Sequence, residues 1–282
     1  MTKRRSRTNP QLAEDNEWLR RLDRISLAVD AWRKRAENPT SPEHGSSLAA
    51  DSMEGLSVEN PIWYSMCISS EHLDFAIDAM RATSTMYPTA YMTVARTAFV
   101  AAVNAVWMLA PSARQERRER ALKLRADDLR VQVTSFRDMK IPDGKPQEAR
   151  ADLLDQLRER QASLQSVAKS LSMTEDVTKI RFNQTKAIDW VAEHMHGVDD
   201  DLLIGATQSV WRSGSAAAHA QYHFGIMRVD RNETVRAAGG GSVVRLRGDL
   251  DSDVGPALAA AAMTLSEAFR LYDLRRVSHD RT

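Results

Sequence analysis

The 282-residue chain reads as an all-α multi-helix bundle of about seven or eight helices, with a small β-hairpin or extended arm near residues 226–248. Three observations carry this expectation. Glycine (12) and proline (9) are scarce, and the long runs between them are rich in Ala, Leu and Arg, which lose little rotamer freedom in a helix. Apolar residues recur along those runs at helical spacing. Strand-like alternation is confined to IMRVDRNETVRAAGGGSVVRLRGDL, on both sides of the glycines 239–241.

Each element has its own signal. Residues 11–37 place Leu12, Trp18, Leu22, Ile25, Val29 and Trp32 on one stripe, and NPTSPEHGSS then ends the helix with two prolines and a glycine. Pro61 opens a second helix through about Thr83. Tyr87-Pro88 and Pro111-Ser112 bracket a third, Thr89 to Ala110, whose TAFVAAVNAVWMLA stretch is too short to span a bilayer and reads as a core helix. The charged run 112–140 has Glu116 four residues before Arg120 and Glu119 four before Lys123, the orientation that supports a solvated helix face. IPDGKP at 141–146 is a turn. Helices follow over 147–171, from Met173 to Met195 with Thr174 as cap, from Leu202 onward, and from about Val254 to Val277. The expected organisation is a basic disordered arm (1–10), an N-terminal helix (11–37), a linker (38–60) and a bundle (61–277) with a hairpin insertion at 226–253.

The formal net charge is +1, so no overall field marks a nucleic-acid or membrane binder. Charge is concentrated in MTKRRSR, whose four basic groups suit a solvated tail or phosphate contacts. Cys67 stands alone, which rules out an internal disulfide and suits a reducing compartment. The amino terminus has no apolar run behind its positive charge, so no secretory leader is expected and a cytoplasmic location is. No Gly-rich phosphate loop, GxSxG or CxxC is present, and the glycines 239–241 lack the lysine of a P-loop.

One segment gathers the chemically able side chains: SVWRSGSAAAHAQYHFG, residues 209–225. Arg212 and His219 are seven residues apart, roughly 10 Å along a continuous helix, and share a surface without bonding. Two arrangements would join them. Ser213-Gly214-Ser215 could interrupt the helix, leaving Ser215 to cap a new one with His219 in its first turns. A two-fold homodimer could also bring copies from both chains together, with Ala216–218 permitting close approach. His219 and His223, at i and i+4, have the spacing at which imidazoles share an ion, with His194 and His196 nearby. With no HExxH and only one Glu-x-x-His, at Glu193–His196, no metal and no other cofactor is expected. Trp63, Tyr64, Trp107, Trp190 and Trp211 read as core anchors. Arg96, inside an apolar helix, needs a partner; Glu71 or Asp74 is the expected one, and phosphate binding is the alternative.

Arg212 followed by six residues and His219, late in an all-α bundle, resembles the RX4–6H motif of the HEPN superfamily, which includes ribonuclease toxins and abortive-infection factors. The motif is eight residues long, and the likeness in organisation covers about 61–277. Family members often carry Asn, Asp or His directly after the arginine, where this chain has Ser213. The resemblance implies metal-independent RNA cleavage in bacterial stress or phage defence. His219 would move the proton as a ribose 2′-oxygen attacks phosphorus, because imidazole titrates near neutrality. Arg212 would steady the phosphoryl oxygens. Ser213, Ser215, His223 and Arg96 would make up the substrate-binding set. RNA, a second copy of the chain and a neutralising protein are the implied partners, and no membrane is. The competing expectation is a non-catalytic helical dimerisation or interaction protein with a degenerate site.

Overall fold

The computed structural model describes residues 17–87, 89–140, 147–237 and 239–278. The basic arm, the first residues of the 11–37 helix and the 141–146 turn lie outside these. Among the described residues there are ten helices and one small sheet: α1 (Glu17–Glu37), α2 (Ser47–Asp51), α3 (Glu59–Thr83), α4 (Ala90–Leu109), α5 (Arg114–Asp138), α6 (Gln147–Ser170), α7 (Gln184–His196), α8 (Asp201–Ala218), α9 (Tyr222–Ile226) and α10 (Gly255–Arg276), with strands β1 (Val229–Arg236) and β2 (Ser242–Leu246) before α10. The fold is all-α with a small hairpin. β1 and β2 pair antiparallel from Val229↔Leu246 to Arg236↔Ser242, with a register shift between Asp230 and Val235. A π-helical turn, Leu250–Val254, leads into α10.

The chain divides into two compact units, and the division falls within α3, α4 and α10 and after the first residue of α7. The first takes the residues up to Thr40, Tyr64–Val106 and Thr185–Arg270. Its core is largely aliphatic, with Val29, Leu73, Ala95, Val103, Ile188, Leu258 and Leu265 almost entirely removed from water and Phe99 among them. The N-terminal helix α1 is part of this unit. Trp32 stacks on Phe269 with centroids 5.5 Å apart, and Arg33 and Arg81 pair with Asp74 and Asp23. Among the described residues α4 alone is long and apolar enough to cross a membrane, and most of it is buried.

The second unit takes Ser41–Trp63, Trp107–Gln184 and the residues from Leu271. Here the stretch read as a linker holds α2 and a β-bridge between Met53 and Leu56, and it buries Leu48, Leu56 and Val58. Ser46 caps α2 by accepting from the Ala49 amide, so this segment has its own hydrogen-bonded structure. α5 differs from a solvated face as well. Arg117 and Arg120 are buried, Arg117 in a fork–fork pair with the fully buried Asp51 at 2.6 and 2.7 Å. These arginines meet the carbonyls left open where Pro111 ends α4. Arg117 donates to the Pro111 and Ser112 oxygens, Arg120 to Trp107 O, and Arg275 to Leu109 O and Pro111 O. A helix C-terminus carries unsatisfied acceptors and partial negative charge, so cations collect there.

Residues 171–183 are irregular instead of opening a helix at Met173. Ser172 adopts φ 59° and closes α6, with Met173 N donating to Ala168 O and Ser172 N to Lys169 O. Side chains then take the next amides: Gln165 accepts from Val177 N and Asp176 from Thr178 N. Trp63, Trp107, Trp190 and Trp211 are half-buried, whereas Tyr64 is two-thirds exposed and anchors nothing.

Candidate anion-binding site

α8 positions the segment singled out in the sequence. Asp200 caps it by accepting from Leu203 N, and the helix runs unbroken through Ser213, Gly214 and Ser215. Gly214 serves a close helix approach. A Cβ there would overlap Arg96 Cβ and lie 3.0 Å from Met92 O, so only glycine lets α8 sit this near α4. Arg96 crosses that contact. Its Nε donates to Ser215 Oγ at 2.9 Å, and its guanidinium lies 4.4 Å from the Trp211 ring centroid. Burial holds the Arg96 guanidinium below its ordinary range. The carboxylate partner expected for Arg96 is absent from these contacts; Asp74 pairs with Arg33.

The opposite face of α8 is open. Ser209, Arg212, Ser213 and Ala216, at intervals of three, one and three, line a hollow of ≈ 540 Å³. His223, Phe224, Met227, Arg228 and Val229 from α9 and the hairpin's first foot close one side. Arg247, Asp249, Ser252 and Asp253 close the other. The hairpin brings Arg247 here, since its amide donates to Arg228 O at 2.8 Å.

Two of these charges are internally balanced. The Arg228 side chain is almost wholly covered, donates to Asp253 Oδ1 at 2.6 Å and lies over the Phe224 ring at 3.4 Å. Burial pushes the Asp253 carboxyl above its ordinary range, and Arg228 works against that shift. Asp249 accepts the Asp251 and Ser252 amides at the start of the π-helical turn. Arg212 differs. It is exposed and makes no hydrogen bond or ion pair with a described residue. Comparison with known protein families, curated proteins and solved structures gave no match. The chemistry of the site therefore rests on its own geometry.

Of the residues expected from sequence, Arg212, Ser213 and His223 come together at the hollow, while His219, Ser215 and Arg96 do not line it. His219 is exposed at the C-cap of α8, where φ −96° and ψ 12° leave the helical path. Ala220 at φ 51° completes the stop: Gln221 N donates to Ala216 O and Ala220 N to Ala217 O. His219 thus ends a helix instead of starting one, and His223 belongs to the separate α9, so the two imidazoles do not share a helical face. No group of three His, Cys, Asp or Glu suited to a metal occurs among the described residues. His194 and His196 fall in the last turn of α7, with His194 stacked on Trp190 and bonded to Glu267. Arg228, Arg247, Asp249 and Asp253 were not legible as site residues. The only sequence signal was the alternation around the glycines 239–241, which folds 228 back against 247.

Proposed function

We propose that this chain binds single-stranded RNA through its phosphates at the hollow floored by Arg212, and that it cleaves RNA as a HEPN-like ribonuclease. One observation carries the reading: an exposed arginine without a protein partner among the described residues shares an open, polar hollow, roomy enough for a phosphate and its neighbouring sugar, with an imidazole and Arg247. Guanidinium forks match phosphoryl oxygens. In this reading Arg212 holds the phosphate and Ser213 adds a hydroxyl. His223, which lines the hollow, does the work the motif would give His219. It accepts the 2′-hydroxyl proton as the 2′-oxygen bonds to phosphorus, then returns a proton to the departing 5′-oxygen. The products are a 2′,3′-cyclic phosphate end and a 5′-hydroxyl end. A role in bacterial stress or phage defence, a homodimer and a neutralising protein partner belong to the same proposal.

The test is binding and cleavage of an eight-nucleotide RNA in EDTA. Arg212→Ala should weaken binding about tenfold or more, the scale of one charge-assisted contact of about 1.5–3 kcal/mol. His223→Ala should lower the cleavage rate about 10²-fold or more, and His219→Ala should leave it near wild type. RNA that binds Arg212→Ala as tightly as wild type would overturn the reading.

A second reading, a non-catalytic interaction module, rests on exposed apolar side chains beside the hollow, Tyr222 and Met227, and on Val198 and Leu202 near the start of α8. Under it the wild-type chain self-associates and leaves RNA intact, which sedimentation and the same cleavage assay would reveal.

A further inference from the structure

A second hollow of ≈ 400 Å³ adjoins the first. The two share four lining residues, Ser209 and Ser213 of α8 and Ser252 and Asp253 ahead of α10. The chemistry changes sharply across that edge. The second hollow is walled mostly by hydrocarbon from four helices, Met92 and Phe99 of α4, Val191 and Met195 of α7, Val210 of α8, and Ala260 of α10, with the His196 imidazole at the end of α7 the one titratable side chain lining it away from the shared edge. Two of its hydroxyls are already spent inside their helices, Thr207 on Leu203 O and Thr264 on Ala260 O. A nucleobase placed here would find few partners for its polar edges, and an aliphatic chain needs none.

We propose that the first unit carries a binding site for an anionic amphiphile, an aliphatic chain with a phosphate or carboxylate head. The chain lies in the hydrocarbon hollow, and the head crosses the Ser209–Ser213 edge to Arg212. The site has room for a chain on the order of ten carbons, since it lies near the lower end of ligand pockets of about 300–1,000 Å³. Charge complementarity selects the head. Arg212 is without a protein partner among the described residues, and the nearest carboxylate on the shared edge, Asp253, is held by Arg228. The inference goes beyond RNA binding and shares Arg212 and the Ser213 edge with it. Where both ligands bind, the amphiphile displaces the RNA phosphate.

Calorimetric titration of the full chain with hexyl, octyl and decyl phosphate, each below its micellar concentration, tests the proposal. Affinity should rise about fourfold per methylene, the equivalent of about 0.8 kcal/mol for each one buried. Ala260→Phe, which fills the hydrocarbon hollow from a half-buried position, should abolish the chain-length dependence and leave RNA binding unchanged. Arg212→Ala should weaken decyl phosphate about tenfold and leave decanol unaffected. Inorganic phosphate binding as tightly as decyl phosphate, or affinity flat across the series, would overturn the proposal. Decyl phosphate binding with no RNA binding would remove the RNA reading and leave this one standing.

Discussion

Gly214→Ala sets two opposing effects against each other on one helix. Alanine in a helix interior gains about 1 kcal/mol over glycine. Against that, the new methyl would overlap Arg96 Cβ and lie 3.0 Å from Met92 O and 3.1 Å from Arg96 Cγ. Two of those atoms sit on or next to the α4 backbone, so no flexible side-chain end can swing away and the helices must part. Overpacking of this kind costs about 1–3 kcal/mol. Separation also stretches the 2.9 Å Arg96–Ser215 hydrogen bond, worth about 0.5–1.5 kcal/mol, and the contact of Arg96 with Trp211. The net expectation is a loss of about 1–3 kcal/mol. Gly205 supplies an internal control, because it lies on the same helix and a Cβ there would meet nothing within 4 Å. Gly205→Ala should be neutral or stabilising by up to about 1 kcal/mol. Urea unfolding followed by circular dichroism reads both variants. Gly214→Ala as stable as Gly205→Ala would refute the close α4–α8 approach, and with it the positioning of Arg212.

Three more outcomes follow from named contacts. Asp51→Ala strands the buried Arg117 guanidinium and should cost about 3–5 kcal/mol in the same unfolding assay; a loss under about 1 kcal/mol would place the pair in water. Ala220→Gly relieves a left-handed residue at φ 51° and should raise stability by about 1 kcal/mol, read as a higher denaturation midpoint. Glu267 is held below the ordinary glutamate range by the Arg270 hydrogen bond, with His194 adding to it. Its contribution is therefore complete above the ordinary glutamate value and is lost as pH falls through the lowered one. The Glu267→Gln deficit, under about 1 kcal/mol for this partly exposed group, should be present at pH 7 and vanish in acid; a deficit that grows in acid would reverse the assignment.

What the sequence made legible follows from how local each signal is. Pro111 ends α4 by itself, and the Leu22–Val29–Trp32 stripe needs only helical periodicity to find its buried face. The end of α8 had no such signal. The left-handed position that usually takes glycine is filled by Ala220, so the helix read as running on toward His223. The arginines of α5 show the same limit. Their partners, Asp51 and the carbonyls around Pro111, lie in other segments, and a charge run in isolation cannot announce burial. At the site, Arg212, Ser213 and His223 were legible because one short stretch carries them. Arg228 and Arg247 reach it through hairpin pairing, and their neighbours in sequence are silent about it.

The most direct test of the anion site is the histidine-ring NMR spectrum of the intact chain during titration with a non-cleavable dinucleotide, each ring assigned by single substitution. An anion site at Arg212 predicts that the His223 resonances move in step with occupancy, that His219 stays in place, and that Arg212→Ala moves the response to dinucleotide concentrations about tenfold higher or more. Movement of His219 alone, or a His223 response at the same concentrations without Arg212, would contradict it.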